Sequence, residues 1–183
     1  MKKITTPLDP GTAGALRAGD WVEISGIIYG ARDAAHKRFY ELAGKGKTLP
    51  VDLRGQVIYY VGPTPAPPGK IIGSCGPTTS SRMDRYTPLL LECGLKGMIG
   101  KGRRCEAVRQ MIRKYNAVYF VTFGGCGAYL SRFFKKVEIA AFPDLGPEAV
   151  FRFEVEDFPA LVEIDSLGND FYKNAGSSII NQK

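Results

Sequence analysis

Two kinds of hydrophobic pattern follow each other in the first part of the chain. Residues 21–29 are rich in β-branched and aromatic side chains, which predicts a strand. Residues 32–42 carry Ala35, Phe39 and Leu42 at helical spacing, which predicts a helix with one apolar side. The first regular elements predicted are therefore a strand and a helix joined by a short turn.

Strands and helices alternate through the middle of the sequence, and strands dominate after it. Four prolines within residues 62–69 exclude an interior strand or helix, so this segment is predicted to be a stiff connection. Residues 174–183 are expected to form a weakly ordered tail. The other predictions are strands at 56–61, 97–99, 117–122, 136–141, 150–155 and 161–165, and helices at about 79–93 and 103–115.

This order of elements favours an α/β domain with a mixed sheet over a simple doubly wound sheet. A chain of 183 residues with 44% hydrophobic side chains can bury one core, and we assign residues 1–173 to a single domain. No apolar stretch approaches the roughly 18 residues of a membrane span. The first residues lack the apolar segment of a signal peptide, so a cytoplasmic protein is expected.

Basic residues exceed acidic ones, at 25 against 18, and the formal net charge is +7. Such an excess suits nucleic acid, a membrane surface or a small anionic substrate, although it also fits a merely solvated basic surface. No RNA-binding signature accompanies it. The basic residues are spread along the chain at Arg32, Lys37, Arg38, Arg82, Arg85, Lys101, Arg103, Arg104, Lys135 and Lys136.

The cysteines and the single histidine offer little to a metal. His36 cannot build a multi-histidine site, and no two cysteines form a Cys-x-x-Cys pair. We therefore predict no metal ligands in this chain and reduced thiols at the four cysteines, Cys75, Cys93, Cys105 and Cys126.

The strongest candidate for chemistry is a glycine-rich turn that leads into a predicted helix. Thr78 and Thr79 are followed by two serines and by Arg82, at the place where a helix start presents free N–H groups to an anion. Capping of the helix explains one of these hydroxyls. Four hydroxyls and an arginine exceed what capping needs, which favours an anion site.

Two further turns between a strand and a helix carry cations. Lys101 lies between two glycines, so that backbone can approach a ligand closely while the ammonium reaches it. Arg32 stands at a helix start, where acids are preferred, and this suggests that it faces an anion. His36, one turn later, either serves the site or supports the helix. A fourth turn at residues 124–127 is interpreted as a tight loop without a catalytic role.

Turns of this kind commonly converge at one edge of the sheet in α/β domains. Arg32, Arg82 and Lys101 together suit a small substrate with two carboxylates, because guanidinium binds carboxylate through paired hydrogen bonds. A second catalytic carboxylate, a histidine pair or a metal set is missing from the sequence. The constellation is therefore interpreted as half of an active site.

Four stretches of the chain resemble one known family. They are residues 32–36 (RDAAH), 76–84 (GPTTSSRMD), 94–102 (GLKGMIGKG) and 153–160 (FEVEDFPA). The chain resembles the class I, iron–sulfur-dependent fumarate hydratases, and more narrowly their β subunit or C-terminal domain, a family that includes the L-tartrate dehydratase β subunits. The resemblance covers about residues 7–172.

The resemblance implies a swivelling β/β/α domain and the reversible hydration of fumarate to L-malate. It implies a [4Fe–4S] cluster held by cysteines of a separate α subunit, and hence a hetero-oligomer. It also implies that Arg32, Arg82 and Lys101 contact the substrate carboxylates, that Thr78 is the base at the substrate carbon, with Lys101 as a further catalytic residue, and that Thr79 neighbours the substrate. Two alternatives remain: a β subunit acting on tartrate or another dicarboxylate, and a non-catalytic nucleic-acid-binding domain.

Overall fold

A computed structural model describes residues 1–173 and shows one sheet of seven strands. The predicted tail at 174–183 lies outside the described residues. The order of the strands across the sheet is β1-β2-β3-β4-β5-β7-β6. The strands are β1 (Lys2–Thr6), β2 (Trp21–Gly30), β3 (Val57–Tyr59), β4 (Gly97–Gly100), β5 (Val118–Val121), β6 (Phe134–Ala141) and β7 (Val150–Ile164).

The sheet is mixed and closes on itself. Strands β1 to β5 are parallel neighbours, whereas β7 runs antiparallel to β2, β5 and β6. Because β7 pairs with both β2 and β5, the five strands β2, β3, β4, β5 and β7 form a closed ring. The predicted α/β class with a mixed sheet is confirmed. The swivelling motion implied by the resemblance stays a prediction.

Helices occupy most of the connections between strands. No helix within residues 1–173 is long and apolar enough to cross a membrane. Short 3-10 helices cover Ser80–Met83, Ser131–Phe133 and Pro143–Glu148. The α-helices are α1 (Pro10–Ala15), α2 (Asp33–Gly44), α3 (Thr87–Glu92), α4 (Glu106–Lys114) and α5 (Gly127–Leu130).

Several predicted boundaries are wrong. The single helix predicted at 79–93 is a 3-10 turn followed by α3, because Pro88 lacks an N–H and fits only the first turn of a helix. The two strands predicted at 150–155 and 161–165 are one strand, β7, which continues through Asp157 with a shift of register against β2. Strand β1 and helix α1 were not predicted at all.

Two hydrophobic layers lie on opposite faces of the strands. One, the apolar layer, receives Ile24, Val57, Phe120 and Phe158 from the strands and Leu130 from α5. The other, the helix-side layer, joins strand residues to the helices that cover that face. Its members include Ile58, Tyr60 and Tyr119 from the strands, Phe39 from α2, Leu90 from α3 and Ile112 from α4.

Candidate functional site

The three cation-bearing turns meet at the carboxyl ends of neighbouring parallel strands. Gly30 at the end of β2 pairs with Tyr59 of β3, and Tyr59 pairs with Ile99 of β4. Lys101 directly follows β4, and Arg32 comes two residues after the end of β2. In α/β folds with parallel strands, open or closed, ligand sites lie at the carboxyl ends of the strands, so the structure places these cations where such a site is expected.

Main-chain hydrogen bonds hold Thr78 and Lys101 side by side. The Thr78 N–H donates to the Tyr60 carbonyl at 2.7 Å, and the Lys101 N–H donates to the Thr78 carbonyl at 3.3 Å. The Ser80 N–H in turn donates to the Lys101 carbonyl at 2.9 Å. Glycine is required at position 100, since a Cβ there would stand 2.0 Å from Ser80 Oγ. The two segments thus form a short parallel bridge between Thr79 and Lys101.

The two arginines are brought together by acidic side chains. Asp33 Oδ2 lies 3.0 Å from Arg82 Nη2 and 3.3 Å from Arg32 Nε. Glu148 Oε1 lies 3.3 Å from Arg32 Nη2. Each guanidinium is therefore oriented by a carboxylate, although Arg82 remains exposed and Arg32 partly exposed to solvent.

The start of helix α2 explains why a cation is tolerated there. Arg32 is the N-cap residue but makes no side-chain capping bond. Instead Glu148 Oε2 accepts a hydrogen bond of 2.8 Å from the Ala34 N–H, which supplies the negative charge that a helix start favours. One of the carboxylates that face Arg32 in this structure is thus that of Glu148, in the segment just before β7.

His36 supports the turn from inside. Its side chain is fully buried, and Nδ1 lies 3.0 Å from the Arg32 carbonyl, which can only accept, so Nδ1 carries the proton. Burial lowers the pKa of His36 to about 4. Its Nε2 has no hydrogen-bond partner in the described chain and lies among aromatic rings. The neutral ring therefore packs behind Arg32.

Lys101 is exposed, as Arg82 is, but its surroundings differ. Among the described residues its ammonium has no carboxylate within 4 Å, in contrast to Arg32 and Arg82. It borders a cleft of about 360 Å³ with the exposed rings of Trp21, Phe123 and Tyr172. A Cβ at Gly124 would contact its side chain at 3.5 Å, so the loop interpreted as merely structural lies against Lys101.

The hydroxyl groups of the motif divide into two sets. Thr79 is the N-cap of the 3-10 turn but makes no side-chain capping bond, so capping does not account for it. Thr78 is partly exposed and Thr79 exposed. Ser80 is fully buried, and its Oγ lies 2.8 Å from the Tyr119 hydroxyl. The two threonines are therefore accessible from solvent, while Ser80 binds Tyr119 in the sheet below.

Arg104 was not recognised as a site neighbour from the sequence, and the structure shows that it is not part of a solvated basic surface. Its guanidinium is completely buried, lies 2.6 Å from Asp84 Oδ1 and donates to Thr87 Oγ1 at 2.6 Å. It also stacks over the ring of Tyr119 at 4.9 Å from the centroid. Like Arg32, it lies just before a helix, and that unfavourable position was an available signal.

Glu163 is the second residue that the sequence analysis missed. Its side chain is fully buried in β7, and neither carboxyl oxygen has a hydrogen-bond partner in the described chain. Burial, with a smaller contribution from Asp170, raises its pKa to about 8. An acid within the apolar run around Val162 was the signal for it.

No three Cys, His, Asp or Glu side chains within residues 1–173 come together to hold a metal ion. All four cysteines lie in this part of the chain, and none forms a disulfide. Cys75 is buried, and this burial raises the pKa of its thiol to about 12, which disfavours the thiolate that binds metal. The donor set of the described chain does not fit an iron–sulfur cluster.

Known proteins resemble this chain over most of its length. It is 41% identical to "Fumarate hydratase class I, anaerobic" of Escherichia coli over 83% of its residues, and 42% identical to "Fumarate hydratase 1, mitochondrial" of Leishmania major over 83%. It spans only 28% of the length of each of these relatives.

A third relative has nearly the same length as this chain. The provisionally named L(+)-tartrate dehydratase subunit beta of Methanocaldococcus jannaschii is 35% identical over 90% of this chain and 87% of its own length. The family model described as "Fumarase C-terminus" matches residues 7–175. The chain therefore belongs to the fumarase C-terminal family.

Proposed function

We propose that this chain is the β subunit of a class I fumarate hydratase and contributes half of the active site. The observation that carries the proposal is the bridge that sets Thr78 beside Lys101, at the same sheet edge as Arg32 and Arg82. Sequence identity of about 40% to proteins named fumarate hydratase supports the reaction class.

Each cation has a distinct part in this proposal. Arg32 and Arg82 bind substrate carboxylates through paired hydrogen bonds, and their carboxylate partners preset the guanidinium planes. Lys101 binds as an exposed point charge with no carboxylate within 4 Å in the described chain. Three cations at one edge attract a dicarboxylate and offset the cost of removing its carboxylates from water.

Thr78 is the proposed base. In the dehydration of L-malate its Oγ1 takes the proton from the substrate carbon next to the one that loses hydroxide, and in hydration it returns that proton. A free hydroxyl is a very weak base at neutral pH, so the alkoxide needs nearby positive charge. Lys101, whose main chain is hydrogen-bonded to that of Thr78, is the candidate that the fold sets beside it. Thr79, beside it, contacts the substrate.

The [4Fe–4S] cluster is proposed to belong to an α subunit. Two observations support a partner: the described residues offer no ligand set, and the fumarate hydratase relatives are more than three times as long as the matched region. A separate β subunit is supported by the tartrate dehydratase relative, of which this chain covers 87%.

That same relative favours a second candidate, the β subunit of an L-tartrate dehydratase. Both substrates are four-carbon dicarboxylates, so the cations serve either one. The nucleic-acid-binding alternative gains no support from the family, and we do not propose it.

The decisive experiment assembles this chain with the cluster-bearing subunit found in the same organism, under anaerobic conditions, and assays fumarate and tartrate. We expect hydratase activity in the complex and no activity or stoichiometric iron in the isolated chain. If the complex turned over tartrate and not fumarate, the chain would be assigned to a tartrate dehydratase instead. A complete cluster in the isolated chain would contradict the partner assignment.

Variants of the complex separate the roles. Thr78→Val keeps the branched shape and should lower kcat by about 100-fold. Arg82→Met and Lys101→Met should each lower kcat/KM by roughly 10- to 100-fold, since a charge-assisted hydrogen bond contributes about 1.5–3 kcal/mol. Lys135→Met is the matched control, because within residues 1–173 Lys135 of β6 pairs with Glu156 of β7 and with none of the proposed site residues. Unchanged kinetics in Thr78→Val would remove the base assignment.

A further inference from the structure

The hydroxyl of Tyr119 lies directly beneath the bridge between Thr79 and Lys101. Tyr119 belongs to β5, is completely buried, and its oxygen lies 2.7 Å from the Gly102 carbonyl and 2.8 Å from Ser80 Oγ. A carbonyl can only accept, so the single phenolic proton goes to Gly102 and Ser80 donates to the phenol. One hydroxyl therefore joins the residue after Thr79 to the residue after Lys101.

Few other hydrogen bonds within residues 1–173 join residues 78–80 to the Lys101 segment. Two main-chain hydrogen bonds join them, one of 3.3 Å from the Lys101 N–H and one of 2.9 Å from the Ser80 N–H. The upper side of the bridge is exposed, as are Thr79 and Lys101 themselves. Gly102 adopts a φ of +79°, a turn that leaves its carbonyl pointing to Tyr119.

The phenol is itself held rigidly. Its ring lies in the helix-side layer under the buried Arg104 guanidinium, 4.9 Å from the ring centroid. Burial raises the pKa of Tyr119, so the hydroxyl stays protonated and keeps both bonds. A rigid donor at the base of a loop fixes that loop more firmly than solvent-exposed contacts do.

We propose that Tyr119 is a positioning residue that sets Thr78 relative to Lys101. This inference rests on the proposed function, in which those two side chains act together. Tyr119 does not touch the substrate; it acts through Ser80 and Gly102. Arg32 and Arg82 are anchored by Asp33 and Glu148 instead, so the loss of the phenol should disturb the reacting groups more than the binding of carboxylate.

The first test needs no activity. Amide hydrogen exchange is measured on the full chain for wild type, Tyr119→Phe and Tyr59→Phe. We expect exchange in the peptide covering residues 100–104 to be about tenfold faster in Tyr119→Phe. Tyr59 is the matched control, because it is equally buried and its hydroxyl donates to the Cys75 carbonyl at 2.5 Å, in the apolar layer. Exchange in this peptide that is unchanged in Tyr119→Phe, or raised equally by Tyr59→Phe, would overturn the proposal.

The second test measures kinetics in the complex with the cluster-bearing subunit. Tyr119→Phe should lower kcat by about 10- to 100-fold while KM changes less than about threefold, as expected when reacting groups are misplaced. Ser80→Ala removes one of the two bonds and should give an intermediate loss. A lower melting temperature with wild-type kcat would show a purely structural role and refute the inference. Absence of hydratase activity in the wild-type complex would instead count against the proposed function, and the exchange experiment would still decide the positioning role.

Discussion

The two faces of the sheet are built from the same strands but differ in what they bury. The apolar layer encloses mostly hydrocarbon and aromatic side chains, such as Ile24, Val57 and Phe158. The helix-side layer contains equally buried strand residues, but ionisable groups adjoin it, among them His36, Arg104 and Glu163. Both layers are closed to solvent, so exposure does not explain the difference.

The ionisable groups lie on the side of the sheet that supports the candidate site. The turns with Thr78 and Lys101 are held from below by Tyr119, and Arg32 is held by His36 and Glu148, all on the helix side. Buried polar groups need matched partners, which restricts the geometry of whatever they hold. The apolar layer therefore stabilises the fold through contacts that do not fix the orientation of site residues. The helix-side layer supplies hydrogen bonds and ion pairs that orient the proposed catalytic and substrate-binding residues.

The largest expected loss of stability comes from replacing Arg104, whose buried charge adjoins the helix-side layer. Arg104→Met leaves the Asp84 carboxylate, only 13% exposed, without its guanidinium, and should lower the free energy of unfolding by about 3–5 kcal/mol. Urea titration followed by circular dichroism measures this. Adding Asp84→Asn should recover part of the loss, because the unpaired charge is gone. A cost below about 1 kcal/mol would show that this ion pair contributes little to the layer.

The second effect depends on pH and concerns Glu163. Its carboxyl, with a pKa of about 8 when folded against an ordinary value of 4.5, holds a proton in the folded chain that the unfolded chain has released. Its contribution to stability is therefore full below about pH 4.5 and declines as the pH rises to 8. The groups that shift this pKa are Asp170, which raises it, and Arg103 and Arg104, which lower it.

Glu163→Gln removes this titration. Between pH 5 and pH 9 the stability of the variant should fall by roughly 4 kcal/mol less than that of wild type. Thermal unfolding over this range, for both proteins in the same buffers, measures the difference. Parallel pH profiles would show that Glu163 is ionised in the folded chain at neutral pH.

The smallest effect tests the apolar layer. Ile28→Val removes one methylene from a completely buried side chain and should cost about 1 kcal/mol. Since no ionisable group is involved, the cost should be equal at pH 5 and pH 9. Urea titrations at the two pH values check this. A marked dependence on pH would mean that the two layers are coupled, and the contrast between them would fail.

Local patterns in the sequence determined most of the elements around the site. The strand before Arg32, the glycines around Lys101 and the hydroxyl run at Thr78 are visible because neighbouring residues set strand, turn and cap preferences. Parallel strands joined by helices then bring such turns to one edge. The helix predicted from residue 79 is wrong because Pro88 lacks an N–H and fits only the first turn of a helix, so the α-helix begins at Thr87.

Which charges are buried, and which partners they bind, depends on contacts between segments that are distant in the sequence. Arg82 meets Asp33 across 49 positions of the sequence, and Arg104 meets Asp84 across 20. The closure of the sheet by β7 buries Glu163, although nothing local marks that strand as shared by β2 and β5. Periodicity records the preference of a residue for one face, whereas burial and pairing depend on segments that arrive from far along the chain, and those contacts exist only after the chain has folded.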